Sequence, residues 1–110
     1  MKDDIVWREL SDIQSKILVK GSTVKFIHSD NITVAYWDFE AGTLLPDHSH
    51  PHEQITSIIE GTFELTVGGE TKTMKPGSVA VIPCDIRHYA KSVTGCRVID
   101  VFYPVREDYR

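Results

Sequence analysis

The sequence predicts a single all-β domain, a sandwich or small barrel. Three observations carry that expectation. Val, Ile and Thr number 11, 11 and 9 against five Leu and four Ala, and β-branched side chains suit a pleated surface while losing χ1 freedom in a helix. Seven Gly and five Pro fall singly or in pairs between short runs, with no linker or repeat. Close to ten short strand-like runs fit into the 110 residues, with turn chemistry recurring every 8–12 or so.

Along the chain, residues 1–12 are the least determined. Ile5–Leu10 reads as a strand or as one helical turn over an end of the sheet. Strands are then expected at Ile13–Val19, Val24–His28 and Ile32–Glu40, separated by Lys20-Gly21-Ser22 and Ser29-Asp30-Asn31, both turn-forming sets between β-branched runs. Further strands follow at Thr43–Leu45, Gln54–Glu60, Thr62–Val67, Glu70–Lys75, Ser78–Ile82, His88–Val93 and Cys96–Tyr103. The clearest local signal runs from Phe63 to Met74. Apolar and polar residues alternate there up to Gly68-Gly69, a two-residue hairpin turn that requires positive φ. In the last strand Val98, Asp100 and Phe102 share one face, while Ile99, Val101 and Tyr103 share the other. Both faces are largely apolar, so cover is expected on both, and Asp100 stands out as a carboxylate between apolar neighbours.

Composition also excludes function classes. A net charge of −4 without a basic run argues against nucleic acid or an anionic membrane surface as partner. No apolar stretch approaches the roughly 20 residues of a membrane span. The N-terminal residues lack the apolar core of a secretory signal, so a cytoplasmic protein is expected. Cys84 and Cys96 form no CxxC pair and read as two reduced thiols.

The chemistry gathers in Pro46-Asp47-His48-Ser49-His50-Pro51-His52-Glu53-Gln54. On an extended chain residues i and i+2 share a face about 6.8 Å apart, so His48 and His50 can aim two imidazoles at one point, and imidazole suits several divalent transition metals. Gln54 shares their parity, and His88 could join from a distant strand end. His52 has the same parity, but Pro51 bends the chain before it, leaving a ligand or a rim role. His28 reads as plain strand surface.

The spacing around these histidines resembles the cupin superfamily. Its first motif is matched by Gly42, His48, His50, Gln54 and Gly61, and its second by Gly77, Pro83, Asp85, His88 and Ser92. Gln54 stands where Glu is usual, Asp85 where Gly is usual and Ser92 where Asn is usual. The resemblance implies a double-stranded β-helix (jelly-roll) barrel, one domain over residues 1–110 with its barrel motifs at about 30–103. A neutral ligand in place of Glu leaves the charge of a bound ion undamped, which favours Lewis-acid work over oxygen chemistry.

A closer similarity lies in the tail Asp100-x-Phe102-x-Pro104-x-Arg106-x-Asp108-Tyr109 and in the run His48 to Gln54. Both are similar to the small pectin-degradation cupins, which linearise unsaturated monouronates from pectin or alginate. That resemblance implies His48, His50, Gln54 and His88 as ligands of one divalent transition metal ion (Ni, Fe, Mn or Zn). It implies Asp100 as acid/base, with Phe102 and Arg106 holding a small sugar acid. Ser57 stands where a bulkier residue is expected, which bears on pocket width. Competing readings are another metal cupin, an oxygenase or a sugar or keto-acid isomerase, and a non-enzymatic cupin that binds a sugar acid. The apolar outer strand face and the unassigned Ile5, Val6 and Trp7 point to a homodimer.

Overall fold

The computed structural model describes residues 4–110. Nine strands form: β1 (Ser22–His28), β2 (Thr33–Phe39), β3 (Leu44–His48), β4 (Glu53–Glu60), β5 (Phe63–Val67), β6 (Glu70–Met74), β7 (Val79–Ile82), β8 (His88–Ser92) and β9 (Cys96–Tyr103). They build two antiparallel sheets, one in the order β1-β2-β9-β4-β7 and the other β3-β8-β5-β6. Phe39, Ile58, Phe63, Leu65, Ile82 and Val98 are buried between them.

Each turn follows from its residues. Gly68 and Gly69 carry φ of 55° and 83°, the pair of positive values a tight β5–β6 hairpin needs. Gly61, at φ 87°, links β4 to β5 where an added Cβ would strike the Gly95 carbonyl and the Cys96 sulfur, so only glycine fits. Asp85 takes φ 64° in the position that the sequence motif gives to Gly, a conformation short polar residues tolerate. Its amide then donates to the His50 carbonyl at 2.8 Å, tying the β7–β8 turn to the histidine loop.

Two expectations need correction. Ile13–Val19 is not a strand. Only Lys16 pairs, through an isolated bridge to Val24, and Leu18 and Val19 turn instead to the barrel cavity. Of Ile5–Leu10, only Leu10 enters regular structure, at the start of a 3-10 turn over Leu10–Asp12. Ile5–Glu9 has none, and Trp7 there is 87% exposed.

The five-stranded sheet has contrasting faces. Inward, β4 and β9 bury Gln54, Thr56, Ile58, Val98, Asp100 and Phe102. Outward, Ile27, Val34, Val101, Ile55 and Val81 stand in one register row across all five strands, with Ile55 and Val81 exposed. The outer face of β9 is thus only partly covered within the protomer. Cys84 and Cys96 are both free thiols. Among the described residues no helix is long and apolar enough to cross a membrane.

Candidate metal centre and active site

Two neighbouring strands of the four-stranded sheet bring distant histidines together. Across β3 and β8, His48 pairs directly with His88, just past a register shift in β3. The chain then bends at Pro51 and re-enters the sheet at Glu53, which buries Gln54 on the inner face of β4. The ring centroids of His48 and His88 are 4.2 Å apart, those of His50 and His88 5.0 Å, and those of His48 and His50 5.6 Å. One nitrogen from each ring lies within 4.8 Å of the others.

Hydrogen bonding tells which nitrogen each ring presents. Nδ1 of His48 meets the Pro46 carbonyl at 2.8 Å, Nδ1 of His50 the His52 carbonyl at 3.0 Å, and Nδ1 of His88 the Ile86 carbonyl at 2.9 Å. A carbonyl only accepts, so each Nδ1 carries the proton and each Nε2 of a neutral ring is a bare lone pair. Burial favours the neutral form of two of these rings, His50 and His88. It lowers His50, with help from Arg106 and His88, to about 4, and it lowers His88 as well. His88 Nε2 is buried without a hydrogen-bond partner. His50 Nε2 faces Gln54 Oε1 at 3.0 Å, two acceptors opposed with no proton between them. Lone pairs converging in this way, each backed by a carbonyl, fit a divalent cation. The residues that would hold it are His48, His50, His88 and Gln54 through Oε1.

His52 stands outside this group. It contributes its carbonyl to His50, and its ring packs edge-on to His50 at 5.5 Å. His28 is not plain surface. It stacks on Phe26 at 5.9 Å, bonds Thr33 Oγ1 at 2.8 Å and meets the Tyr109 carbonyl at 3.3 Å. The same Thr33 hydroxyl accepts the Arg106 amide at 2.8 Å, so β1 and β2 hold the tail in place.

The cavity beside the histidines is about 360 Å³, and His48, Gln54, His88, Asp100, Phe102 and Arg106 all line it. Asp100 faces inward and is 8% exposed. Burial pushes its carboxyl up to about 6 against the opposing pull of Thr56, Gln54, Trp37 and Arg106. Phe102 meets the His50 ring edge-on at 5.7 Å. The Arg106 guanidinium lies over Tyr109 at 4.0 Å and Phe102 at 4.8 Å. Its Nε and Nη2 donate to the two carboxylate oxygens of Asp108 at 3.0 and 2.8 Å, which holds Asp108 below its usual range.

The structure therefore brings His48, His50, Gln54, His88, Asp100, Phe102 and Arg106 to one site, with His52 at its rim. Ser57 is the exception among the pocket expectations. It lies on the outer face of β4 opposite Ile99 and Val79, so it cannot set the pocket width. Among the lining residues left without a role, Thr56, Trp37 and Tyr109 stand nearest the proposed chemistry, through their contacts with Asp100 and Arg106. Thr56 had a signal, standing two residues beyond Gln54 and so on the same face.

Residues 35–102 match the cupin domain family. The chain belongs to that family. As a cupin it is 30% identical over 110 aligned residues to the pectin degradation protein KdgF of Dickeya dadantii, covering 97% of this chain and 93% of that one. Among solved structures, KdgF from a Halomonas species superposes with a TM-score of 0.91 at 25% identity, over 97% of this chain and 100% of its own. An RmlC-like cupin from Shewanella frigidimarina gives a TM-score of 0.91 at 24% identity over the whole of both chains. The fold is accordingly the cupin jelly-roll barrel.

Proposed function

We propose that this cupin is a cytoplasmic, metal-dependent enzyme that converts 4,5-unsaturated monouronates into linear 4-deoxy-5-ketouronates. The observation that carries the reading is the sharing of one cavity by the histidine cluster, a buried carboxyl at Asp100 and the guanidinium of Arg106. Similarity to the pectin degradation protein KdgF over nearly the full chain supports it.

Such a substrate is a cyclic hemiacetal that carries an enol ether and a carboxylate. Opening it removes the proton of the anomeric hydroxyl, breaks the bond from C1 to the ring oxygen, and leaves an aldehyde and an enolate. Protonation at C4 then gives the ketone, with no net gain or loss of atoms. A divalent ion in the site would supply Lewis-acid stabilisation of the developing oxyanion.

The chain's own residues do the rest. Asp100, poised at about 6 by its burial, exchanges protons with substrate near neutral pH. Arg106 has one edge of its fork engaged by Asp108, so the substrate carboxylate meets the other edge in a charge-assisted pair. Phe102 offers an apolar face to the ring, and Leu18 and Val19 narrow the cavity against water.

The protein acts, in this reading, as a homodimer whose outer apolar row and exposed Trp7 are covered by a second copy. The test of the reaction is turnover of 4,5-unsaturated galacturonate, followed by loss of ultraviolet absorbance and by proton NMR of the product. Metal-loaded protein should convert it, whereas chelator-stripped protein and His48→Ala should not. Absence of conversion by metal-loaded protein would overturn the reading, and oxygen uptake with another substrate would favour an oxygenase.

A further inference from the structure

A glutamine ligand poses a problem that a glutamate does not. Only one of its two terminal atoms can bind a cation, and rotation of the amide by half a turn replaces the oxygen lone pair with N–H groups. Something must hold the amide with Oε1 toward the histidines. We propose that Thr56 is that positioning residue, and that its hydroxyl is what makes Gln54 a metal ligand.

The geometry is a directional chain of hydrogen bonds. Gln54 Nε2 donates to Thr56 Oγ1 at 2.9 Å, and Thr56 Oγ1 donates to Asp100 Oδ1 at 2.7 Å. An ionised Asp100 can only accept, so the single hydroxyl proton of Thr56 goes to it. The Thr56 oxygen is then left as an acceptor, and only the NH2 end of Gln54 can satisfy it. Oε1 is thereby turned to the opposite side, where it lies 3.0 Å from His50 Nε2. Thr56 is 2% exposed and stands opposite Asp100 in the β4–β9 register, so both partners of its hydroxyl lie within the barrel. The three side chains form one polar thread along the inner face of β4 and β9, and its polarity runs from the candidate ligand to the carboxylate.

This inference rests on the metal site described above but not on the identity of the substrate. It predicts a dependence that a merely structural threonine would not show. With Gln54, loss of the hydroxyl frees the amide to flip and weakens metal binding. With Glu at position 54 both terminal atoms are oxygen, orientation no longer matters, and the hydroxyl becomes dispensable for binding.

The experiment is a double-mutant cycle read by Co2+ binding, with calorimetry for affinity and the visible d–d absorption for the ligand set. Thr56→Val, close in shape, should weaken Co2+ binding by about tenfold or more and alter the d–d bands, in the range measured when a hydrogen bond behind a metal ligand is removed. Thr56→Ser should restore both. In the Gln54→Glu background the same Thr56→Val change should alter affinity by less than about twofold. Equal losses in the two backgrounds, or no loss with Gln54, would overturn the role of Thr56 while leaving the metal site intact. Failure of the unmodified protein to bind Co2+ would overturn the metal site itself.

Discussion

The inner and outer faces of β4 and β9 depart from the ordinary rule for a sheet that covers a core. Inside, beside Ile58, Val98 and Phe102, lie Gln54, Thr56 and Asp100, all buried. Outside lie Ile55 and Ile59, exposed, with Ile99 and Val101 half-buried. The strands are the same and alternate in the same register, so local propensity does not explain the difference. Polar groups survive inside because they satisfy one another along the thread from Gln54 to Asp100, and an unsatisfied buried group would cost about 1–3 kcal/mol. The apolar groups outside are those that the proposed second copy would cover. In that proposal, chemistry and association are divided between the two sides of one pair of strands.

Substitutions on either face can break that division, and the largest effect belongs inside. Asp100→Asn should lower kcat on the unsaturated uronate by about 10³-fold, the span of lost general acid–base catalysis. Co2+ should still bind, since Asp100 is not a candidate ligand and the amide oxygen of asparagine can still accept from Thr56 Oγ1. Arg106→Lys comes next. The ammonium cannot reproduce a planar fork, so KM should rise by about tenfold or more while kcat changes less, as read from initial rates over substrate concentration.

Outside, Val81→Lys places a charge in the middle of the register row. Sedimentation should find self-association weakened about tenfold or more, with metal binding retained. Retention of the dimer would place the interface elsewhere. The smallest effect concerns the tail. Burial lowers His28 from its ordinary 6.5, so the unfolded chain takes up the proton first as pH falls. The stability that neutral His28 contributes with Thr33 and Tyr109 is therefore present above 6.5 and lost progressively below it, down through the folded value. Lys16, Arg110 and Glu107 also act on this ring, and their opposing signs keep the net change small. Urea unfolding at pH 7 and pH 5 should give a loss of under about 1 kcal/mol for wild type relative to His28→Gln.

The strands were legible because alternation is written locally. The Phe63–Met74 hairpin and the two faces of Cys96–Tyr103 emerged from parity and turn residues alone. Ile13–Val19 misled because β-branched composition expresses a preference but supplies no partner, and beyond the Lys16 bridge that segment pairs with nothing. The histidine cluster was legible from spacing, together with the tail residues Asp100, Phe102 and Arg106. Thr56, by contrast, takes its meaning from Asp100, 44 residues away, and His28 from Tyr109, 81 residues away. Such roles arise only when register sets one strand against another. The Ser57 expectation erred in a way parity could have prevented, since Ser57 alternates with Gln54 and must face outward.

The neutral ligand at position 54 has a consequence at the level of the gene. Glutamine and glutamate codons differ by a single first-position base, so one point mutation would add a full negative charge to this candidate site without altering the length or shape of the side chain. The barrel around it already buries a carboxylate at Asp100 and a guanidinium at Arg106, and the new charge would share their cavity. The electronic character of the centre is thus separated from its alternative by the smallest step inheritance allows, while the scaffold that holds it is spread over residues from four strands.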